Sequence, residues 1–326
     1  MVATVARRTL AGLAVVVGAV TLTFFLVRLA PGDPVERLLG PQATAAQLAA
    51  QRHALGLDRP LPAQYGSWLA RFARGDWGRS IATGRPVRAL LGEAVPATVE
   101  LVGLSLVLSY LLGIAVGALQ VTAGPRVDAA LSVTTVTLFA LPGYWLGLML
   151  VMAFTYWAGW LPAFGAAGLD ADVLTGWSRR IDELRHLALP LTTLTLIGVG
   201  GTARFARGAM RDVRSQPFVQ TAQAKGLSPW QVTRRHVARN ALIPVITLLG
   251  LSLPVLFSGA VFVEAVFAWP GMGRRLVEAV QARDYPVVMA ATTVSAILVV
   301  LGNLLADAGV AWIDPRVRHG TREGGP

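Results

Sequence analysis

Between Glu100 and Arg126 the chain reads LVGLSLVLSYLLGIAVGALQVTAGP, 25 residues (101–125) without a charge. A helix rising 1.5 Å per residue needs about 20 residues to cross a hydrocarbon core of roughly 30 Å. This stretch is long enough, and five others resemble it. The uncharged windows are 9–27, 129–169 (most apolar over Leu131–Trp157), 186–203 with His186 neutral, 240–263 and 285–306. A bilayer interior admits only helices or a closed barrel, because backbone N–H and C=O groups find no water there. The windows are continuous apolar runs, not alternating ten-residue segments, so helices are expected. A soluble helical core would show amphipathic faces, whereas these windows are apolar all round.

Composition agrees with a membrane protein. Of 326 residues, 54% are apolar and 14% charged, against about 25% charged in soluble domains. Cysteine is absent, which removes disulfides, thiolate catalysis and Cys-ligated metal. Arg7 and Arg8 before the first window resemble a signal peptide's start. The window ends in Arg28 and Ala30-Pro31 without a small-residue cleavage site, so an uncleaved span is expected.

The net charge of +11 could suggest nucleic acid, but its distribution argues otherwise. With a cytoplasmic N-terminus, the inner segments (1–8, 122–130, 203–241 and the tail after Asp307) hold 14 Lys and Arg. The two short outer loops, Thr155–His186 and Glu264–Tyr285, hold 6. The positive-inside bias therefore places both termini in the cytoplasm. The expected division is 1–97 (first span and extracytoplasmic segment), 98–312 (a five-helix core with a cytoplasmic segment at 204–241) and a tail at 313–326.

The segment 204–241 carries eight Lys and Arg against one acid, Asp212. Part of that charge sets topology and meets anionic lipid. The segment is also patterned. After Pro217, Phe218–Lys225 spans two helical turns, and Gly226 follows where a left-handed residue ends a helix. Ser228, Pro229 and Gln231 then form an N-cap, a first helical residue and the reciprocal partner of a capping box. Two short helices meeting at Gly226 are expected, and the small residues Thr221, Ala222, Ala224 and Gly226 suggest a surface that another protein's groove approaches closely.

Here the sequence resembles a known family. Thr221-Ala222-Gln223-Ala224-Lys225-Gly226-Leu227-Ser228, followed by Arg235-His236-Val237-Ala238-Arg239-Asn240-Ala241-Leu242-Ile243-Pro244, is similar to the coupling loop of ABC importer permeases. The closer resemblance is to the oligopeptide, dipeptide and nickel uptake systems. Gln220-Thr221-Ala222 stand where the family motif has Glu-Ala-Ala, so the acid is replaced by Gln220. Further matches run in family order: Ala30-Pro31-Gly32-Asp33-Pro34, Leu55–Leu61, Pro96–Leu101, Glu264–Phe267 with Pro270–Gly273, and Arg283–Pro286.

The resemblance implies an all-α polytopic protein with six transmembrane helices and the type I ABC importer permease architecture. It implies a multi-pass protein of the inner membrane. Implied partners are a second, different permease chain, two ATP-binding subunits and an extracytoplasmic solute-binding protein; nucleic acid is not among them. On this resemblance the coupling residues are Gln220, Thr221, Ala222, Ala224, Lys225, Gly226, Leu227 and Ser228, and the cargo is a peptide-like or small polar solute.

The residues themselves point the same way. The only lysine, Lys225, is flanked by Ala224 and Gly226, so no P-loop is present. No catalytic, cofactor-binding or metal-binding residues are expected, and ATP hydrolysis is expected in separate subunits. The alternative is an ion- or proton-coupled carrier working alone, which usually needs carboxylates or His inside the bilayer. Glu100, Glu264 and Asp307 only bound the windows, and His53, His186, His236 and His319 lie outside them or at an edge. Intramembrane Ser–His proteolysis fails for the same reason, and a non-transporting scaffold would leave the cytoplasmic helix pair unexplained.

Pro142, Gly143 and Pro254 are candidate gate or kink residues, with packing as the competing role. Pro244 also lies within a span, and Arg274–Ala282 reads as a short surface helix. The segment 29–97 contains amphipathic pieces at Ala45–Leu55 and Tyr65–Phe72. It is expected either to help dock the binding protein or to act as a structural plug or lid.

Overall fold

The computed structural model describes the backbone of residues 2–29, 34–40 and 42–313. The Ala30–Asp33 part of the first family motif, the tail from 314 onward and His319 lie outside the described residues. The described chain is helical, without a strand. The helices, in order, are α1 (Val2–Leu29), α2 (Pro34–Leu39), α3 (Ala45–Ala54), α4 (Leu61–Ala73), α5 (Val87–Thr122), α6 (Pro125–Ala140), α7 (Gly143–Leu150), α8 (Gly176–Arg214), α9 (Pro217–Ala224), α10 (Pro229–Val232), α11 (Ala238–Thr247), α12 (Leu249–Val266), α13 (Met272–Ala282) and α14 (Tyr285–Ile313). α7 continues as a wider π-helical stretch over Val151–Trp157, and α10 is joined to α11 by another over Thr233–Val237.

Four helices, α1, α5, α8 and α14, are each long and apolar enough to cross a bilayer. Two bent pairs, α6 with α7 and α10–α11 with α12, bring the number to six if each pair is one span. The six windows therefore fall on six helical segments. The window over Leu131–Trp157 is not one rod: the chain bends by 107° between its two halves. Pro142 explains the break. The residue before a proline is driven out of the α region, and Leu141 is extended (φ −71°, ψ 136°), so α6 stops at Ala140 and Pro142 caps α7. The second pair bends by 65° between Pro229–Thr247 and Ser252–Val266.

The described residues fall into two compact units, one from 2–3, 99–269 and 301–313, the other from the described parts of 4–98 and from 270–300. In the first unit a small-residue seam sets the packing. Gly113 faces Thr202 so closely that an added Cβ would sit 2.6 Å from the Thr202 Cβ, and one on Gly117 would sit 2.9 Å from that of Ala206. Gly198 leaves the same kind of room for Ser109, whose hydroxyl donates to the Thr195 carbonyl at 3.1 Å. The partners 109/198, 113/202 and 117/206 advance together by four residues, so α5 and α8 run in the same direction along one face each. Gly200 lets α6 approach α8 as closely, with Thr135 O and Phe139 N each 2.8 Å from an added Cβ. In lipid no hydrophobic force draws helices together, and close backbone contact through small residues supplies the attraction.

In the second unit, Val87, Leu90, Leu91 and Ala94 of α5 bury against Met272 and Ala279 of α13 and Val287, Ala290 and Ala291 of α14. α5 thus begins fourteen residues before the uncharged window at 101, because Arg88, Glu93 and Glu100 interrupt the apolar run without interrupting the helix. Buried Asp284 ties the preceding loop down. Its carboxylate accepts from the Ser80 hydroxyl and from the Ile81 (3.1 Å) and Ala82 (3.2 Å) amides. Tyr65, Trp68, Phe72 and Trp77 stack in series along α4 and beyond it.

Gly117→Leu is expected to overpack the seam by about 1–3 kcal/mol and to lower the yield of folded protein in detergent. The exposed Gly208→Ala serves as the control, since an added Cβ there meets nothing. Thermal unfolding of both purified variants checks this; equal stability would contradict it.

Candidate functional site

The cytoplasmic end of the first unit is built by α8, α9 and α10. α8 runs for 39 residues, about twice what a bilayer crossing needs, so Arg204, Arg207, Arg211 and Arg214 lie on a helix and not in a loop. Asp128, near the start of α6, receives a bidentate contact from Arg207 (2.7 and 2.6 Å) and a third bond from Arg211 at 2.8 Å. The Arg214 guanidinium donates to the Val121 carbonyl. Charge-assisted, forked bonds of this kind fix geometry as well as adding energy. They brace the α8 extension against the ends of α5 and α6.

The chain then turns at Ser215–Gln216, and Pro217 opens α9 in the first-turn position where its missing N–H costs nothing. Eight residues make no stable helix alone. α9 is held by its inner face, where Val219 and Ala222 bury against Ala118, Val121, Met210, Val232, Val237 and Ala241. Gly226 ends the helix at φ +82° with its amide on the Gln223 carbonyl at 2.9 Å, a conformation that side chains with a Cβ resist. Ser228 and Gln231 close the reciprocal cap at 3.0 and 3.3 Å, starting α10. The helix–glycine–helix reading thus describes the backbone observed.

One inference from the sequence needs correction. Ala222 is small because it packs inward (5% exposed), not because another protein's groove needs room there. Exposed here are Gln220, Thr221, Gln223, Ala224, Lys225, Gly226 and Ser228, with Leu227 half-buried. That surface also carries two residues the sequence reading passed over, Phe218 (45% exposed) and Trp230 (56% exposed). Aromatic side chains are enriched at the centres of protein interfaces. Their place in an otherwise polar, charged segment was the available signal.

A cavity of about 670 Å³ lies within the same unit, reaching from Leu194 and Gly198 on α8 toward Arg204 and Arg207 at the cytoplasmic end. Its walls mix hydroxyls with apolar and aromatic surface. Tyr110 and Ser252 hydroxyls are 2.8 Å apart, and the Arg204 guanidinium lies over the Phe139 ring at 5.3 Å. Pro142, Gly143 and Pro254 do not line it; their neighbours Phe139 and Val255 do. Gly143 instead abuts Ile197, 2.9 Å from an added Cβ.

Residues 109–319 match the family described as "Binding-protein-dependent transport system inner membrane component", and residues 1–102 match the N-terminal region of the same transport-system membrane components. The chain belongs to this family of ABC importer permeases. Among its relatives, the oligopeptide transport system permease protein AppB of Bacillus subtilis (strain 168) is 36% identical over 98% of this chain and 100% of its own length. The di/tripeptide permease protein DppB of Pseudomonas aeruginosa (strain UCBPP-PA14) is 37% identical, covering 93% of this chain and 94% of the relative. A solved structure of the MetNI methionine ABC transporter, in an inward-facing conformation, shares the fold with a TM-score of 0.55 at 17% identity. It covers 70% of this chain and 98% of that one. The protein is accordingly a multi-pass inner-membrane permease with the type I importer fold.

Ala222→Arg is expected to undock α9 and lower the folded yield, while Ala224→Arg, on the outer face, leaves it unchanged. Asp128→Asn is expected to lower the unfolding temperature by several degrees, whereas Arg179→Ala, which removes only an exposed ion pair with Glu183, leaves it in place. Differential scanning fluorimetry of the four purified variants checks both expectations.

Proposed function

We propose that this chain forms half of the translocation pathway of an ATP-driven importer for peptide-like solutes. An extracytoplasmic binding protein delivers the solute, a second and different permease supplies the other half, and two separate ATP-binding subunits supply the energy. No catalysis is assigned to this chain.

The observation that carries the reading is the capped cytoplasmic helix pair. α9 is seated on its inner face by Val219 and Ala222 and exposes Phe218 beside Gln220, Thr221 and Ala224; Lys225 and Gly226 follow at the bend, and α10 exposes Trp230. A short rod fixed at both ends moves as a body with the helices beneath it, which is what a subunit pushing from the cytoplasm requires. Gly226 sets the angle between the two rods, and Ser228 fixes the start of the second. Together these residues form the coupling surface, with Leu227 anchoring the bend.

The peptide assignment draws on the functions for which the relatives are named, oligopeptide and di/tripeptide transport. The cavity suits it chemically. Ser109, Tyr110 and Ser252 offer hydroxyls to a peptide backbone, Phe139 and Leu194 offer apolar surface to varied side chains, and Arg204 stands at the cytoplasmic end. Contacts of this generic kind bind weakly and let the cargo leave. The break at Pro142–Gly143 and the bend before Pro254 are where the two halves of a span can change angle, and we assign gating motion to them.

Phe218→Ala and Ala224→Arg should each leave the purified complex folded while reducing ATP-driven uptake of a labelled tripeptide into proteoliposomes at least about tenfold, the first by removing a hot-spot aromatic of about 2 kcal/mol and the second by setting a bulky charge in the contact. Uptake at the wild-type rate in both variants would reject the coupling surface.

A further inference from the structure

A second cavity, of about 340 Å³, lies in the other unit, at the outer end of α1. Its floor is apolar, formed among others by Val27, Leu57 and Met289. Trp68, Trp77 and Tyr285 stand around it, the ring types that gather at a membrane's polar boundary. Its charged residues are Arg28, Arg71, Arg79 and one acid, Asp76.

These charges are unevenly used. The Asp76 carboxylate accepts from the Gly78 amide at 3.0 Å, and the Arg79 Nε donates to the Gly84 carbonyl at 2.8 Å. Among the described residues Arg28 has no such polar partner. Its guanidinium lies 5.4 Å from the Phe24 ring and 5.6 Å from the Tyr285 ring, and no described carboxylate comes within ion-pair distance. A half-buried cation held over two aromatic faces keeps its N–H donors available for an anion. The guanidinium fork matches the paired oxygens of a phosphate.

We propose that this cavity is a binding site for one glycerophospholipid of the outer leaflet, its phosphodiester on Arg28 with Arg71 alongside, and the start of an acyl chain on Val27 and Met289. The occupant is a lipid because the same helix turns its apolar side to hydrocarbon: Leu22 and Leu26 are 62% and 60% exposed. The site therefore offers an anion-binding rim and an apolar floor where lipid is already the solvent. The bound lipid would fill the space between α1 and the aromatic series of α4, steadying the outer face of the permease. This inference is independent of the cargo and of the coupling surface.

The test uses the intact transporter complex, purified, delipidated in detergent and titrated with phosphatidylglycerol under native mass spectrometry. Wild type is expected to retain one phosphatidylglycerol per copy of this chain at low ratios. Arg28→Gln should weaken that binding about tenfold, the loss expected for one charge-assisted contact. Arg71→Gln, at an exposed position that leaves the packing untouched, should weaken it severalfold. Unchanged binding in both variants overturns the proposal. So does displacement of the lipid by millimolar sn-glycerol 3-phosphate, which would make this a site for a soluble phosphate. Displacement by the soluble binding protein likewise overturns it, since the cavity would then be a protein dock.

Discussion

The close, parallel approach of α5 and α8 is the contact on which the rest of the cytoplasmic half depends. Ser109, Gly113 and Gly117 meet Gly198, Thr202 and Ala206 with no room for an added carbon. Because lipid is as apolar as the side chains, the helices gain little from burying leucine; they gain from backbone proximity and from filling space. Once that seam is closed, α8 has a fixed direction, and its last turns must emerge beside the end of α5. There Asp128 and its two arginines, with Arg214 on Val121, hold the emergent part in place.

The cytoplasmic helices inherit this rigidity. Val219 and Ala222 rest on Met210 of α8 and on Ala118 and Val121 of α5, the two helices joined by the seam. A displacement of α9 is thus a displacement of the bundle, not the bending of a loop. The cavity beside Tyr110, Phe139 and Ser252 is walled by the same helices, so motion at the cytoplasmic surface and the shape of the cavity share one framework.

Much of this was legible in the sequence, and for identifiable reasons. Charge gaps located the spans because a charged side chain in hydrocarbon is costly. Gly226, Ser228 and Gln231 were legible because caps depend on neighbours in sequence. Pro142 marked a break, though not its angle, which depends on what α7 packs against. The start of α5 at Val87 was hidden because the charges of Arg88, Glu93 and Glu100 broke the uncharged run without breaking the helix. Pairings distant in sequence, such as Asp128 with Arg207 or Gly113 with Thr202, leave no local signal. The inward face of Ala222 was misread because small size serves internal packing and external access equally well, and only the fold distinguishes them.

The most direct measurement is peptide accumulation in sealed proteoliposomes, comparing the two permease chains alone with the full complex carrying its ATP-binding subunits and binding protein. The account predicts accumulation only in the full complex with internal or external ATP available to those subunits, and none from the permeases under an imposed proton or sodium gradient. Concentrative uptake by the permeases alone under such a gradient would contradict it.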